Sequence, residues 1–102
     1  MSGAAIIVRL LLVRGRVQGV GYRGWAEGEA RRRDLEGWVR NRIGGAVEIL
    51  VAGSPDRVEG FIAACRRGPF RARVDDLAVD PASARHLEQR RPGEAFSILS
   101  TI

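Results

Sequence analysis

The sequence lacks lysine altogether and contains a single cysteine and a single histidine among 102 residues. Cys65 alone cannot form a disulfide within the chain, and one cysteine with one histidine cannot complete a zinc site of the usual ligand count. The longest apolar run, residues 6–13, is interrupted by Arg9 and is far too short to cross a bilayer. We therefore expect no disulfide, no zinc site, no membrane partner and a cytoplasmic protein.

The residues that are present predict a folded, basic domain. Hydrophobic residues make up 45% of the chain and charged residues 28%, a balance typical of a protein with a core. All 17 positive residues are arginine, and the net charge is +5. This charge favours an anionic ligand, although whole-chain charge indicates steering more than it locates a site. The length predicts one domain over residues 1–102, and we expect a monomer.

Hydrophobic periodicity divides the chain into short segments with turn signals between them. Gly44-Gly45 separates two apolar segments and marks a hairpin turn. The polar segment 80–94, rich in proline and arginine, predicts a loop. The predicted strands are residues 6–13, which we expect to be covered on both faces, 37–42, 46–52, 72–79 and a short last one at 96–100.

Two segments have the apolar spacing of helices packed on one side. The first covers residues 22–33, and the second begins after Ser54, a good N-cap, and ends at Gly68. Their apolar stripes are Tyr22, Trp25, Ala26 and Ala30 in the first and Val58, Phe61, Ile62 and Cys65 in the second. The order strand, helix, hairpin, helix, strand predicts an α+β fold: a ferredoxin-like, split βαβ sandwich with an antiparallel sheet and two helices on one face.

The connection between the first strand and the first helix carries the strongest indication of chemistry. It reads GRVQGVGYR from Gly15 to Arg23. Its glycines allow positive φ angles and close approach of the backbone to a ligand. Successive amides that end at a helix N-terminus can bind a phosphate, and the planar guanidinium of Arg23 can bind the same anion. The spacing also fits a strand-to-helix turn without a ligand, because it matches neither the Walker nor the dinucleotide pattern.

A second segment, LEGWVRN, opens the hairpin and ends at Asn41. A neutral amide can both accept a hydrogen bond from a water molecule and donate one to it. By default, however, an asparagine before Arg42 and a Gly-Gly turn is a turn residue. The position alone leaves both interpretations open.

Together the two segments resemble the signature of the acylphosphatase family. The matching residues are Gly15, Val17, Gln18, Gly19, Val20, Tyr22 and Arg23 in the loop, and Gly37, Trp38, Val39 and Asn41 in the hairpin. The resemblance covers nearly the whole chain and continues to Phe96 and Ile98. It implies hydrolysis of the carboxyl–phosphate anhydride of acyl phosphates to a carboxylate and inorganic phosphate, by direct attack of water, without a metal, cofactor or phosphoenzyme.

The resemblance also implies roles for single residues. Arg23 would bind the phosphoryl group, and Asn41 would position the attacking water. The implied phosphate-binding residues are Gly15, Arg16, Val17, Gln18, Gly19, Val20, Gly21, Tyr22 and Arg23. Asp34 departs from the family pattern, because relatives often have glycine there, but aspartate tolerates the left-handed conformation better than most residues.

Other signals predict structural roles. Cys65 and Arg71 have the spacing of the cysteine-phosphatase loop, but Cys65 lies on a buried helical stripe, which favours a core residue. His86 lies in the polar loop and is expected at the surface. The arginine runs at 31–33 and 90–91 are typical of a solvated face. RNA binding and a non-catalytic ferredoxin-like module are the alternative functions, but the sheet lacks the RNP1 aromatic pattern, so we expect a small acyl phosphate rather than nucleic acid as the partner.

Overall fold

The computed structural model describes residues 5–102, which form a five-stranded sheet, two α-helices and one short 3-10 helix. The predicted strands and helices are present with small shifts at their ends, the largest being the extension of the first strand to Arg16. No helix in this range is long and apolar enough to span a membrane. The elements are β1 (Ile7–Arg16), α1 (Tyr22–Arg32), β2 (Glu36–Asn41), β3 (Val47–Gly53), α2 (Pro55–Arg67), β4 (Arg73–Pro81), the 3-10 helix (Ala84–Gln89) and β5 (Phe96–Ile98).

The strands lie in the order β4-β1-β3-β2-β5. β1 pairs antiparallel with β3 and β4, and β2 pairs antiparallel with β3, whereas β5 runs parallel to β2. The predicted α+β, ferredoxin-like fold is confirmed. The antiparallel prediction holds for β1 to β4, and β5 makes the sheet mixed because the chain crosses from the β4 edge to the β2 edge before β5 begins.

The main core lies between the helices and one face of the sheet. The predicted stripe of α2 is buried in it without exception, while on α1 Trp25 is only half-buried and packs edge-on against Tyr22 with ring centroids 5.2 Å apart. Burial raises the pKa of Cys65 to about 12, so at neutral pH this side chain is an uncharged thiol. The interpretation of Cys65 as a core residue is confirmed.

The second face of the sheet is also covered in part. Trp38 and Leu50 belong to a smaller apolar cluster on which Leu87 of the 3-10 helix packs, and the Trp38 indole N–H donates to the His86 carbonyl at 2.9 Å. The prediction of a loop over 80–94 is therefore wrong for Ala84–Gln89. Such a short helix has too few apolar residues to show a period. His86 is exposed, as predicted.

Two residues near the start of β2 have positive φ angles, one just before the strand and one within it. Asp34 adopts φ 54° where α1 turns into β2, as its tolerance of this conformation predicted. Gly37 has φ 152°, and a Cβ at this position would overlap the Leu50 carbonyl of β3. Glycine at position 37 thus allows β2 and β3 to approach each other closely.

We expect Gly37→Ala to lower the free energy of unfolding by about 2 kcal/mol or more, because the methyl group meets backbone and the φ angle is strained. Gly28→Ala is the matched control. Gly28 lies within α1, and a Cβ there would meet nothing within 4 Å. The control should raise stability by about 0.5–1 kcal/mol through helix propensity. Urea unfolding of both variants measures the difference, and equal effects would contradict this account of Gly37.

Candidate active site

A cleft of about 250 Å³ lies where the β1–α1 connection meets the ends of β2 and β5. It brings together the two segments that the sequence singled out, although they are distant along the chain. None of the lining side chains is acidic. The lining residues are Val17, Gln18, Gly19, Gly21, Tyr22, Arg23, Gly24, Asn41 and Ile98.

The backbone of the loop before α1 has the geometry of an anion site. Gly19 and Gly21 adopt φ 74° and 81°, and a Cβ at either position would meet nothing within 4 Å. The backbone conformation, and not a lack of space, therefore favours glycine at these two positions. The first hydrogen bond of α1 runs from Trp25 N–H to the Gly21 carbonyl at 3.1 Å. The amides of the first turn therefore lack helical acceptors, and no acidic side chain occupies that turn. The positive end of the helix dipole lies at the cleft.

Arg23 provides the cationic side chain of the cleft. It is half-buried in the first turn of α1. In the part of the chain that the structure describes, its guanidinium forms neither a salt bridge nor a hydrogen bond. Its donors are free to bind an anion, and the planar arrangement suits a phosphate.

Asn41 is the last residue of β2 and pairs with Val47 of β3. The turn of the hairpin follows it, closed by the bond from Arg42 N–H to the Ala46 carbonyl at 2.8 Å, so the default interpretation of Asn41 as a turn residue is wrong. Its side-chain Oδ1 is buried and accepts no hydrogen bond from residues 5–102. A buried oxygen without a donor costs free energy unless a water or ligand group satisfies it.

Gln18 connects the loop to the hairpin. Its Nε2 donates to the Arg42 carbonyl at 2.9 Å and to the Ala46 carbonyl at 2.8 Å. Both amide hydrogens are thereby used, so any contact of Gln18 with a phosphate would be made by its main chain. The sequence marks Gln18 as part of a motif but gives no sign of these partners, which are far away along the chain.

The phenol of Tyr22, like the amide of Gln18, is engaged within the protein. The hydroxyl donates to the Cys65 carbonyl of α2 at 2.8 Å, and the side chain is buried. Burial raises the pKa of this phenol well above its ordinary value. The side chain therefore fixes the start of α1 on α2.

Three of the predicted phosphate-binding residues do not line the cleft. Gly15 lies in β1 at an irregularity of the pairing with β4, with φ 133°, and a Cβ there would overlap the Arg73 carbonyl. Arg16 is exposed at the end of β1, and Val20 is buried in the core. The glycine pattern alone cannot distinguish a glycine that allows strands to approach from one that approaches a ligand.

Two lining residues were not among the predicted site residues. Gly24 lies within the predicted helix, where a glycine carries no signal for a ligand. Ile98 belongs to β5 and reaches the cleft because β5 pairs with β2, with Ile98 opposite Val39. No local pattern in the sequence indicates a parallel pairing between such distant segments.

Arginines of both runs outside the cleft form contacts within the chain. Arg31 donates to Glu27 at 3.1 Å and to the Phe96 carbonyl at 2.9 Å, and Arg90 donates to the Leu87 carbonyl at 3.0 Å. Arg33 pairs with Glu29 at 2.7 Å. Among residues 5–102, no group of three His, Cys, Asp or Glu side chains is placed to hold a metal ion.

Known proteins resemble this chain over almost its whole length. The acylphosphatase family model matches residues 9–98. An acylphosphatase of Rhodopseudomonas palustris is 56% identical over 96 residues, which cover 94% of this chain and 97% of that protein. An acylphosphatase of Bradyrhizobium diazoefficiens is 52% identical over 92 residues, covering 90% and 93% respectively. The crystal structure of an acylphosphatase from Bacillus subtilis matches with a TM-score of 0.78 at 35% identity, covering 93% of this chain and 99% of that one. The chain therefore belongs to the acylphosphatase family of enzymes.

Proposed function

We propose that the enzyme hydrolyses acyl phosphates by direct attack of a water molecule that Asn41 positions, on a phosphoryl group bound by Arg23 and the loop amides, with no metal and no phosphoenzyme. One observation carries this proposal. Within residues 5–102, the buried Asn41 oxygen accepts no hydrogen bond and the Arg23 guanidinium forms none, and both residues line the same cleft.

The phosphoryl group would bind at the start of α1. Gly19 and Gly21 have positive φ angles, which suit a loop whose amides point towards an anion. The amides of Tyr22, Arg23 and Gly24, in the first turn of α1, have no acceptor within the helix and can donate to the same anion. The Arg23 guanidinium adds a positive charge, and its attraction to the equatorial phosphoryl oxygens becomes stronger in the transition state. Gly15, Arg16 and Val20 would act indirectly, by shaping the loop that carries these donors.

The water would bind between Asn41 and the phosphoryl group. The Oδ1 atom of Asn41 accepts one hydrogen of the water, which satisfies the buried oxygen and aims a lone pair at phosphorus. Asn41 stays neutral throughout, so its role is to orient the nucleophile rather than to remove a proton. The proton of the attacking water leaves through the substrate's own oxygens or solvent.

The leaving group explains how so few groups can suffice. Hydrolysis breaks the bond between phosphorus and the acyl oxygen, and the oxygen leaves as a carboxylate, whose conjugate acid has a pKa of about 4. Such a leaving group needs no general acid. Phosphoryl transfer passes through a loose transition state, so positioning and electrostatic stabilisation provide most of the acceleration. A phosphomonoester has a far poorer leaving group and should react little.

We also propose that the enzyme acts as a monomer in the cytoplasm. Arg23 and Asn41 line the same cleft within one chain, so the proposed reaction requires no second copy. The unpaired thiol of Cys65 agrees with a reducing compartment.

The substrate class is tested by hydrolysis of an aryl acyl phosphate, such as benzoyl phosphate, in excess chelator. We expect turnover of the acyl phosphate at the same rate with and without chelator, and no comparable turnover of an aryl phosphomonoester. Loss of activity in chelator that added Mg²⁺ restores would contradict the metal-free mechanism. Similar rates on both substrates would contradict the leaving-group argument.

Arg23→Ala should abolish inhibition by inorganic phosphate and lower kcat/KM by about a hundredfold or more, because the positive charge that binds the phosphoryl oxygens is lost. Arg23→Lys should fail to restore activity, since a point charge does not replace the planar donors. Arg85→Ala is the control: Arg85 is exposed on the 3-10 helix, on a different element from the cleft. Equal losses in Arg23→Ala and Arg85→Ala would show that general charge, not the site, is responsible.

Asn41→Ala should lower kcat by about a hundredfold and leave the inhibition constant of inorganic phosphate within about twofold, because the water but not the phosphate loses its partner. Steady-state kinetics with phosphate as a competitive inhibitor separates the two effects. If phosphate affinity falls as far as it does in Arg23→Ala, Asn41 binds the phosphoryl group and the assigned role is wrong.

A further inference from the structure

The segment 99–102 continues along the edge of β2 after β5 has ended. Leu99 N–H donates to the Val39 carbonyl at 2.9 Å. Further on, Ile102 N–H donates to the Asn41 carbonyl at 3.3 Å, and Ile43 N–H donates to the main-chain oxygen of Ile102 at 2.9 Å. The segment therefore reaches the residue that faces the cleft.

These bonds have the pattern of parallel strand pairing. In that pattern one residue donates to the residue before its partner and accepts from the residue after it. Ile102 makes both bonds around Arg42, between Asn41 and Ile43. The β5 register, with Ile98 beside Val39, would place Thr101 at this position. The segment thus contains one residue more than the register requires, and it returns to the edge of β2 at Asn41.

The end of β2 has few other supports on this side. Asn41 is paired with Val47 of β3 on its inner edge, and Ile102 occupies its outer edge. The next residues are the exposed Ile43 and Gly44-Gly45, whose φ angles of 107° and 108° belong to a conformation that only glycine adopts readily. Without Ile102, the Asn41 carbonyl and the Ile43 amide would form an open strand end beside the Gly44-Gly45 turn.

We propose that Ile102 is a positioning residue for Asn41: its main-chain groups fix the end of β2 and thereby hold the Asn41 side chain in the orientation that the attacking water requires. This inference rests on the proposed role of Asn41. The main chain carries the effect, since the Ile102 side chain is 52% exposed and the bonds use only N–H and oxygen. A small displacement of a group that orients a nucleophile has a large effect on rate.

The test compares Ile102→Pro with Ile102→Ala. Proline removes the N–H that bonds to Asn41, whereas alanine keeps both main-chain groups and shortens only the side chain. We expect Ile102→Pro to lower kcat about tenfold, to leave phosphate inhibition within about twofold, and to leave the melting temperature near that of Ile102→Ala. Truncation of the chain after Thr101, which removes both bonds without adding a ring, should give the same loss. Equal kcat in all three variants, or equal losses in the proline and alanine variants, would overturn the proposal.

Amide hydrogen exchange provides a readout that does not depend on activity. In Ile102→Pro the Ile43 amide should exchange faster, because the segment that accepts its hydrogen bond is released. The Arg42 amide, which donates to the Ala46 carbonyl inside the hairpin, should keep its protection and is the internal control. Unchanged protection of Ile43 would show that the segment stays in place and that Ile102 does not hold it.

A double-variant cycle distinguishes failure of this inference from failure of the proposed function. In the Asn41→Ala background, Ile102→Pro should cause no further loss of kcat, because Ile102 acts through Asn41. A full additional tenfold loss there would overturn the coupling. If Asn41→Ala itself retains kcat, the proposed role of Asn41 is wrong. If Asn41→Ala loses kcat but Ile102→Pro does not, only the present inference is wrong.

Discussion

Val47 at the start of β3 is paired on one side with Val13 of β1 and on the other with Asn41 of β2. This double pairing decides where the site can form. It places the last part of β1, which leads into the loop before α1, close to the end of β2, where the side-chain amide of Asn41 lies. A slip of one residue in the β2–β3 ladder would turn Asn41 away from its present face. Gln18 then closes the remaining gap by donating to both sides of the hairpin turn. The cleft is thus a consequence of strand register, completed by one side chain.

The electrostatic character of the cleft follows from what surrounds it. Elsewhere on the surface several arginines pair with nearby carboxylates or donate to carbonyls, as Arg33 does to Glu29. In the cleft the guanidinium of Arg23 and the first-turn amides stand without an acidic neighbour among its lining residues. Unpaired donors and a buried acceptor without a partner are costly for folding. The core between helices and sheet offsets this cost, and the same unsatisfied groups are available to a substrate.

The sequence predicted the fold well where the signal is local. Alternation in β3, the stripe of α2 and the turn at Gly44-Gly45 each follow from residues that are neighbours in the chain. It failed where the structure depends on distant partners: the 3-10 helix forms because Leu87 packs on the second face of the sheet, and β5 adds a parallel edge to β2. The site divides in the same way. Motif residues at both ends of the cleft were predicted, whereas Ile98 at its wall was not, and Gly15 proved to lie at a strand irregularity outside the lining.

The bonds of Gln18 have a consequence for how the enzyme can change over evolution. Because both acceptors are main-chain carbonyls, the connection between loop and hairpin does not depend on which side chains the hairpin carries. Arg42 and the exposed Ile43 can therefore be replaced without removing an acceptor. Substitutions in the hairpin can thus accumulate without disturbing the loop before α1. The side chains of the hairpin turn can therefore diversify while the two bonds that hold the loop to the hairpin stay as they are.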